Sequence, residues 1–183
     1  MSSQSMCGRF YIDDETAKEI EKIARKIDRK MAKLGDVHPS EPALVLRALN
    51  GEMVSEVLKW GYDMTGKNIF NARSETVQER PMFHYDYENR RCIIPAKKFY
   101  EWKKVNAKQK EKYDFFSQGE PLFLAGIYHK DPDGGRFTIL TREAEGCMAG
   151  IHNRMPLILT RGDMEKWLFS TEEAVRLLDG HFD

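Results

Sequence analysis

A chain of 183 residues is long enough to bury one real core, and 41% hydrophobic against 32% charged residues excludes a disordered polymer. Its 29 basic and 29 acidic residues cancel, so any anion site has to be a local patch, because net charge argues neither for nor against nucleic acid. No apolar run reaches the roughly 18–20 residues that cross a bilayer, and MSSQSM at the start lacks the basic and apolar regions of a signal peptide.

The first element is predicted over DDETAKEIEKIARKIDRKMAKLG. Ile20, Ile23, Ile27, Met31 and Leu34 recur at three- and four-residue spacing, Asp13 or Asp14 can cap the start, and Gly35 suits the residue past the end. A long amphipathic helix is expected there. PALVLRALNGEMVSEVLKWGY reads as a hairpin, since Asn50-Gly51 is the favoured pair for a tight type I′ turn. Residues 65–68 read as a loop, Ile69-Phe70 as strand, and Ser74-Glu75-Thr76-Val77 as a short helix capped by Ser74. Strands are then expected in CIIPA, KKFYEWKK, YDFFS, PLFLAGIYH, RFTILT and MPLILT, with a turn at DPDGG, residues 131–135. RGDMEKWLF and TEEAVRLLDG close the chain as two short helices. The fold class is α+β: a mainly antiparallel sheet curled into an open barrel, with one long N-terminal helix and several short ones.

The three cysteines, Cys7, Cys92 and Cys147, form no CxxC pair and the five histidines no HxxxH pair, so neither a disulfide framework nor a zinc site is expected. Cys92 and Cys147 read as structural thiols. An intracellular, cytoplasmic protein without metal or cofactor is the expectation. Four clusters put polar residues into otherwise plain core strands: CGRF (7–10), NARSET (71–76), FYEW (99–102) and IHNRMP (151–156). Burial of Glu101 between Tyr100 and Trp102 would raise its pKa, and His152 titrates near neutrality. With Asn71, Arg73 and Arg154 these residues can form an acid/base site beside an anion site. Each also has an ordinary reading: Glu101 as a salt-bridged carboxylate, His152 as a hydrogen-bonded core residue, Arg73 and Glu75 as an ion pair, Trp102 as a core aromatic.

In this order the four clusters, with WG (60–61), RRCIIPAKKFYEWKK, PLFLAGIY, FTILT and IHNRMPLIL, resemble the SOS response-associated peptidase (SRAP) family from Cys7 to about Leu168. The resemblance implies covalent capture of abasic sites in single-stranded DNA. An N-terminal cysteine is a 1,2-aminothiol. Its amine, of ordinary pKa about 7.7–8.0, forms a Schiff base with the ring-opened sugar aldehyde, and its thiol closes a thiazolidine. By resemblance Cys7 is the nucleophile, Asn71 holds the cysteine and the sugar, Glu101 shuttles protons and serves autocatalytic processing, and His152 assists ring opening and reversal. Arg9, Arg73 and Arg154 match phosphate contacts, Lys97, Lys98, Lys103 and Lys104 add local charge, and Trp102 can stack on a base.

Residues 1–6 read as a short propeptide or a mis-called start ahead of a single domain over 7–183. The implied partner is single-stranded DNA with abasic sites, met by a monomer in the bacterial cytosol, with lyase chemistry as a side reaction. A cysteine-dependent (auto)peptidase and a non-covalent single-stranded DNA-binding module are the alternatives. In one departure from the family pattern, the loop YDMTGKN after Trp60-Gly61 carries neither Trp nor Pro.

Overall fold

The computed structural model of the chain describes residues 7–24 and 33–180. β1 (Phe10–Ile12) leads into α1 (Asp14–Ile23), whose first turn is closed by the Asp13 carboxylate accepting from Thr16 N at 2.7 Å. The helix is shorter than its apolar periodicity suggests. Ala24 is already extended (φ −100°, ψ 134°), Ile27 and Met31 lie outside the described residues, and Leu34 is exposed just ahead of β2 (Gly35–Val37). The single long N-terminal helix is thus replaced by a helix of 10 residues.

β3 (Pro42–Leu49) and β4 (Glu52–Trp60) form the expected hairpin, with Asn50 at φ 51° and Gly51 at φ 76°, as a type I′ turn requires. The segment read as a loop is a second small hairpin, β5 (Tyr62–Met64) and β6 (Lys67–Ile69), turned by Thr65 and Gly66 with positive φ. Gly61 has φ 110°, and a Cβ there would sit 1.7 Å from Asn68 Oδ1, so only glycine fits between Trp60 and this hairpin. β7 (Asn71–Arg73) runs into a 3₁₀ turn at Ser74–Thr76 whose cap residue is Arg73, not Ser74. α2 (Pro81–Asn89), which apolar spacing does not announce, begins with proline at its first position.

The remaining strands are β8 (Arg91–Ala96), β9 (Lys98–Lys104), β10 (Lys110–Phe116), β11 (Leu122–Asp131), β12 (Gly134–Glu143), β13 (Arg154–Pro156) and β14 (Ile158–Leu159). α3 (Asp163–Phe169) and α4 (Thr171–Leu178) end the described chain. The curled sheet closes on itself in the order β12-β4-β3-β8-β11-β12. Four of the five junctions are antiparallel and β12–β4 is parallel, because an odd ring cannot alternate direction throughout.

Alternation sorts the side chains onto two cores. Val45, Leu58, Trp60, Cys92, Ile94, Leu124, Phe137 and Ile139 share one with Phe10, Ile12, Val37 and Phe99 from the second sheet, β10-β9-β1-β2. Leu44, Leu46, Ile93, Phe123, Ala125 and Leu140 face the other way, under Ile20, Phe83, Tyr87, Trp167 and Leu177 of the helices. Trp60 joins barrel to second sheet: it lies 5.1 Å from Phe10, stacks on Phe137 at 6.2 Å, and donates from Nε1 to Phe70 O at 2.9 Å. Truncating a buried Trp of this kind costs roughly 3–5 kcal/mol. Arg91 ties the helices down, donating to Tyr87 O at 2.8 Å and Trp167 O at 2.6 Å. Cys92 is buried as expected, whereas Cys147 is exposed.

Candidate active site

The chain entering β1 runs antiparallel to β9, with Phe10 opposite Phe99 and Tyr100 N donating to Arg9 O at 3.0 Å. Residues 7–9 are thereby laid beside 100–102. On β9 the period of two turns Tyr100 and Trp102 to one face and Glu101 to the other, into the protein. Glu101 is 2% exposed, and its Oε1 accepts from Cys7 N at 2.7 Å. Burial pushes its carboxyl up to about 7, against the lowering effect of the hydrogen bonds from the Cys7 and Trp102 amides. A carboxyl group that titrates near neutrality therefore touches the Cys7 nitrogen.

The Cys7 thiol is 1% exposed. Burial first, and the Glu101 charge second, push its pKa well up, opposed by a hydrogen bond from the Arg9 amide. The sulfur is held as a neutral thiol. Among the described residues His152 is not one of the groups that shift the Cys7 thiol.

The second half of the site hangs from β12, along which β7 pairs on one edge (Ile139 opposite Asn71, Thr141 opposite Arg73) and β13 on the other (Thr141 opposite Pro156, Glu143 opposite Arg154). Asn71 Nδ2 donates to Phe70 O at 2.9 Å, while its buried Oδ1 has no partner. Phe70 packs against the core that contains Cys7. His152 is half-buried, with Nδ1 3.1 Å from Arg154 N and 3.2 Å from Arg154 O. The Arg154 backbone thus engages the Nδ1 side of the ring.

Arg154 is not the surface cation that its place among phosphate contacts implies. It is 8% exposed, donating to both Glu75 oxygens at 2.6 and 2.8 Å and to Thr141 O at 2.7 Å. This pair holds Glu75 below the usual carboxylate range. Glu75 thus pairs with Arg154, not with Arg73, which is exposed. Arg9 lies over the rings of Trp102 (5.1 Å) and Tyr100 (5.6 Å), 3.7 Å from Asp36, and its buried Nε has no partner. Trp102 is half-exposed, Lys98 pairs with Asp114 at 2.8 Å, and Lys103 and Lys104 are exposed. Among the described residues no hydrogen bond joins Cys7 and Glu101 to Asn71 or His152, and no three His, Cys, Asp or Glu side chains gather to hold a metal ion. No helix among them is long and apolar enough to cross a membrane.

A family model described as SOS response associated peptidase (SRAP) matches residues 6–181. The chain is 35% identical over 182 residues to the abasic site processing protein YoqW of Bacillus subtilis, covering 89% of this chain and 80% of that one. It is 28% identical over 176 residues to the abasic site processing protein YedK of Escherichia coli, covering 89% and 79%. A crystal structure of a protein from Bacteroides thetaiotaomicron, 24% identical, has the same fold at a TM-score of 0.78, covering 94% of this chain and 86% of that one.

Proposed function

Because the chain belongs to the SOS response-associated peptidase family, we propose that it captures abasic sites in single-stranded DNA covalently, with Cys7 as its N-terminal residue. The observation that carries this reading is the buried Glu101 carboxylate 2.7 Å from the Cys7 nitrogen, its pKa raised to about 7 in the chain that still carries residues 1–6. Hydrolysis of the Met6–Cys7 bond comes first: water adds to the Met6 carbonyl carbon, the C–N bond breaks, and Glu101 carries the proton from water to the departing nitrogen. The neutral amine of Cys7 then attacks the aldehyde carbon of the ring-opened sugar. Loss of one water gives the imine, with Glu101 supplying the proton to the leaving oxygen. The thiol adds across the C=N bond, sulfur to carbon and its proton to nitrogen, closing a five-membered thiazolidine.

A buried neutral thiol suits the second of these additions and not the role of a thiolate peptidase. His152 Nε2 opens the sugar, taking the C1′ hydroxyl proton and returning one to the ring oxygen. The unpartnered Asn71 Oδ1 holds the amine or the sugar hydroxyl. Arg9 and Arg73 contact phosphate and Trp102 stacks on a base. Arg154, committed to Glu75, instead fixes the strand start two residues after His152. Incubation with a single-stranded oligonucleotide bearing one abasic site, read on a denaturing gel, tests the reading. Wild type gives a retarded band, Cys7→Ala none, and Glu101→Gln a band formed about 10²-fold more slowly. An undiminished band with Cys7→Ala overturns it.

A further inference from the structure

The face of β9 that carries Tyr100 and Trp102 continues past the candidate site to the tip of the β9–β10 hairpin. Tyr100, Trp102 and Lys104 occupy alternate positions, and directly opposite them on β10 stand Asp114, Lys112 and Lys110. β10 is the edge of its sheet, and Lys104, Lys110 and Lys112 are exposed. Cations surround one ring: Lys112 Nζ lies 4.6 Å, Lys98 Nζ 5.2 Å and the Arg9 guanidinium 5.6 Å from the Tyr100 centroid. Phe116, 63% exposed, stands opposite Lys98 at the other end of the strip.

Asp114 on this face pairs with Lys98 at 2.8 Å and with Lys112 at 3.7 Å, so the uncompensated charge lies at the hairpin tip. Lys104 directly faces Lys110, a like-charge pair that disfavours the hairpin. Among the described residues no carboxylate is in ion-pair range of either lysine. On the reverse face the same two strands place Lys103 opposite Glu111, so the imbalance is confined to the side with the aromatic rings. Alternating exposed cations and ring faces on a sheet match a single strand of nucleic acid, whose phosphates need the former and whose unstacked bases the latter. An acidic protein surface offers no use for the rings.

We propose that this face, from Trp102 through Lys104, Lys110 and Lys112, is a platform for the single strand flanking the reacted nucleotide, lengthening the DNA footprint along the hairpin. The inference rests on the reading above, in which a single strand is the substrate. It is tested with an undamaged fluorescent oligothymidylate of about 15 nucleotides, titrated by anisotropy at several salt concentrations. Each single-strand phosphate neutralised contributes about 0.7 to the salt slope, so K104A/K110A/K112A should have a slope shallower by about 2. Between about 50 and 200 mM salt the wild type then loses roughly 20-fold more affinity than the variant. The charge-keeping variant K104R/K110R/K112R should restore the wild-type slope, which a misfolded hairpin would not do.

Equal slopes for wild type and the alanine variant overturn the platform, as does tighter binding of duplex than of single strand. Adduct formation at Cys7 is read separately on an abasic oligonucleotide with the wild-type protein. An adduct with equal slopes refutes the platform alone. No adduct with a hairpin-dependent slope refutes the capture reading and leaves the platform standing.

Discussion

Glu101→Gln removes the one buried carboxylate that touches Cys7 while keeping an oxygen to accept the Cys7 amide. Burial raises the Glu101 pKa from 4.5 to about 7 in the folded chain carrying residues 1–6. Between those values the folded state holds a proton that the unfolded state has released, so stability falls as pH rises through the window. Above it both states are ionised and the loss stays constant. At 1.36 kcal/mol per unit, a rise from 4.5 to about 7 corresponds to about 3 kcal/mol. Glutamine does not titrate, so the variant should gain on the wild type by about 3 kcal/mol between about pH 4.5 and pH 8, or about 6–12 °C in Tm for a chain of this size. Thermal unfolding of both proteins across that range reads the difference directly. A wild-type-minus-variant difference that stays flat with pH would refute the claim that Glu101 titrates near neutrality.

Once Met6 is removed, the Cys7 nitrogen is an amine whose protonated form places a positive charge at the position now 2.7 Å from Glu101, and that opposite charge pulls the carboxyl down. Carboxylate-resolved NMR titration of the processed chain should place Glu101 below its value in the unprocessed one. Gly126→Ala puts a Cβ 2.5 Å from Ile94 Cδ1 and 2.9 Å from Thr138 O inside the barrel; overpacking of this kind costs about 1–3 kcal/mol, measured by urea unfolding. Glu75→Ala leaves the Arg154 guanidinium buried without its counter-charge. Because Glu75 is half-exposed, a loss of about 1–3 kcal/mol is expected, with slower DNA capture through the displaced His152. Glu75→Asp should restore part of both; if capture is unchanged by Glu75→Ala, Arg154 does not position His152.

The elements that could be read from the sequence are those whose causes are local. Asn50-Gly51 needs two positive φ values and supplies them, and Asp13 caps α1 three residues from its acceptor. The apolar periodicity runs on through Ile27 to Leu34, whereas α1 ends before Ala24, so spacing alone over-predicts this helix. PMFHYDYEN has no apolar stripe, so α2 is marked in the sequence only by Pro81 at its start. Closure of the barrel depends on pairing β12 with β4 in parallel, between residues 77 apart such as Lys59 and Arg136, which no local pattern encodes.

The site divides in the same way. FYEW announced Glu101, since a carboxylate between two aromatics in a strand must be either exposed or partnered. That its partner would be the Cys7 nitrogen follows only from the pairing of β1 with β9. Arg154 was legible as a cation but not as one already taken, because Glu75 lies 79 residues away.

The capture reading is met most directly by the intact mass of the protein under denaturing conditions after incubation with an oligonucleotide bearing one abasic site. Capture through the Cys7 amine requires a chain that begins at Cys7, heavier by the oligonucleotide less one water, and no such species from Cys7→Ala. A chain processed to Cys7 that stays at its own mass in the presence of the lesion would contradict it.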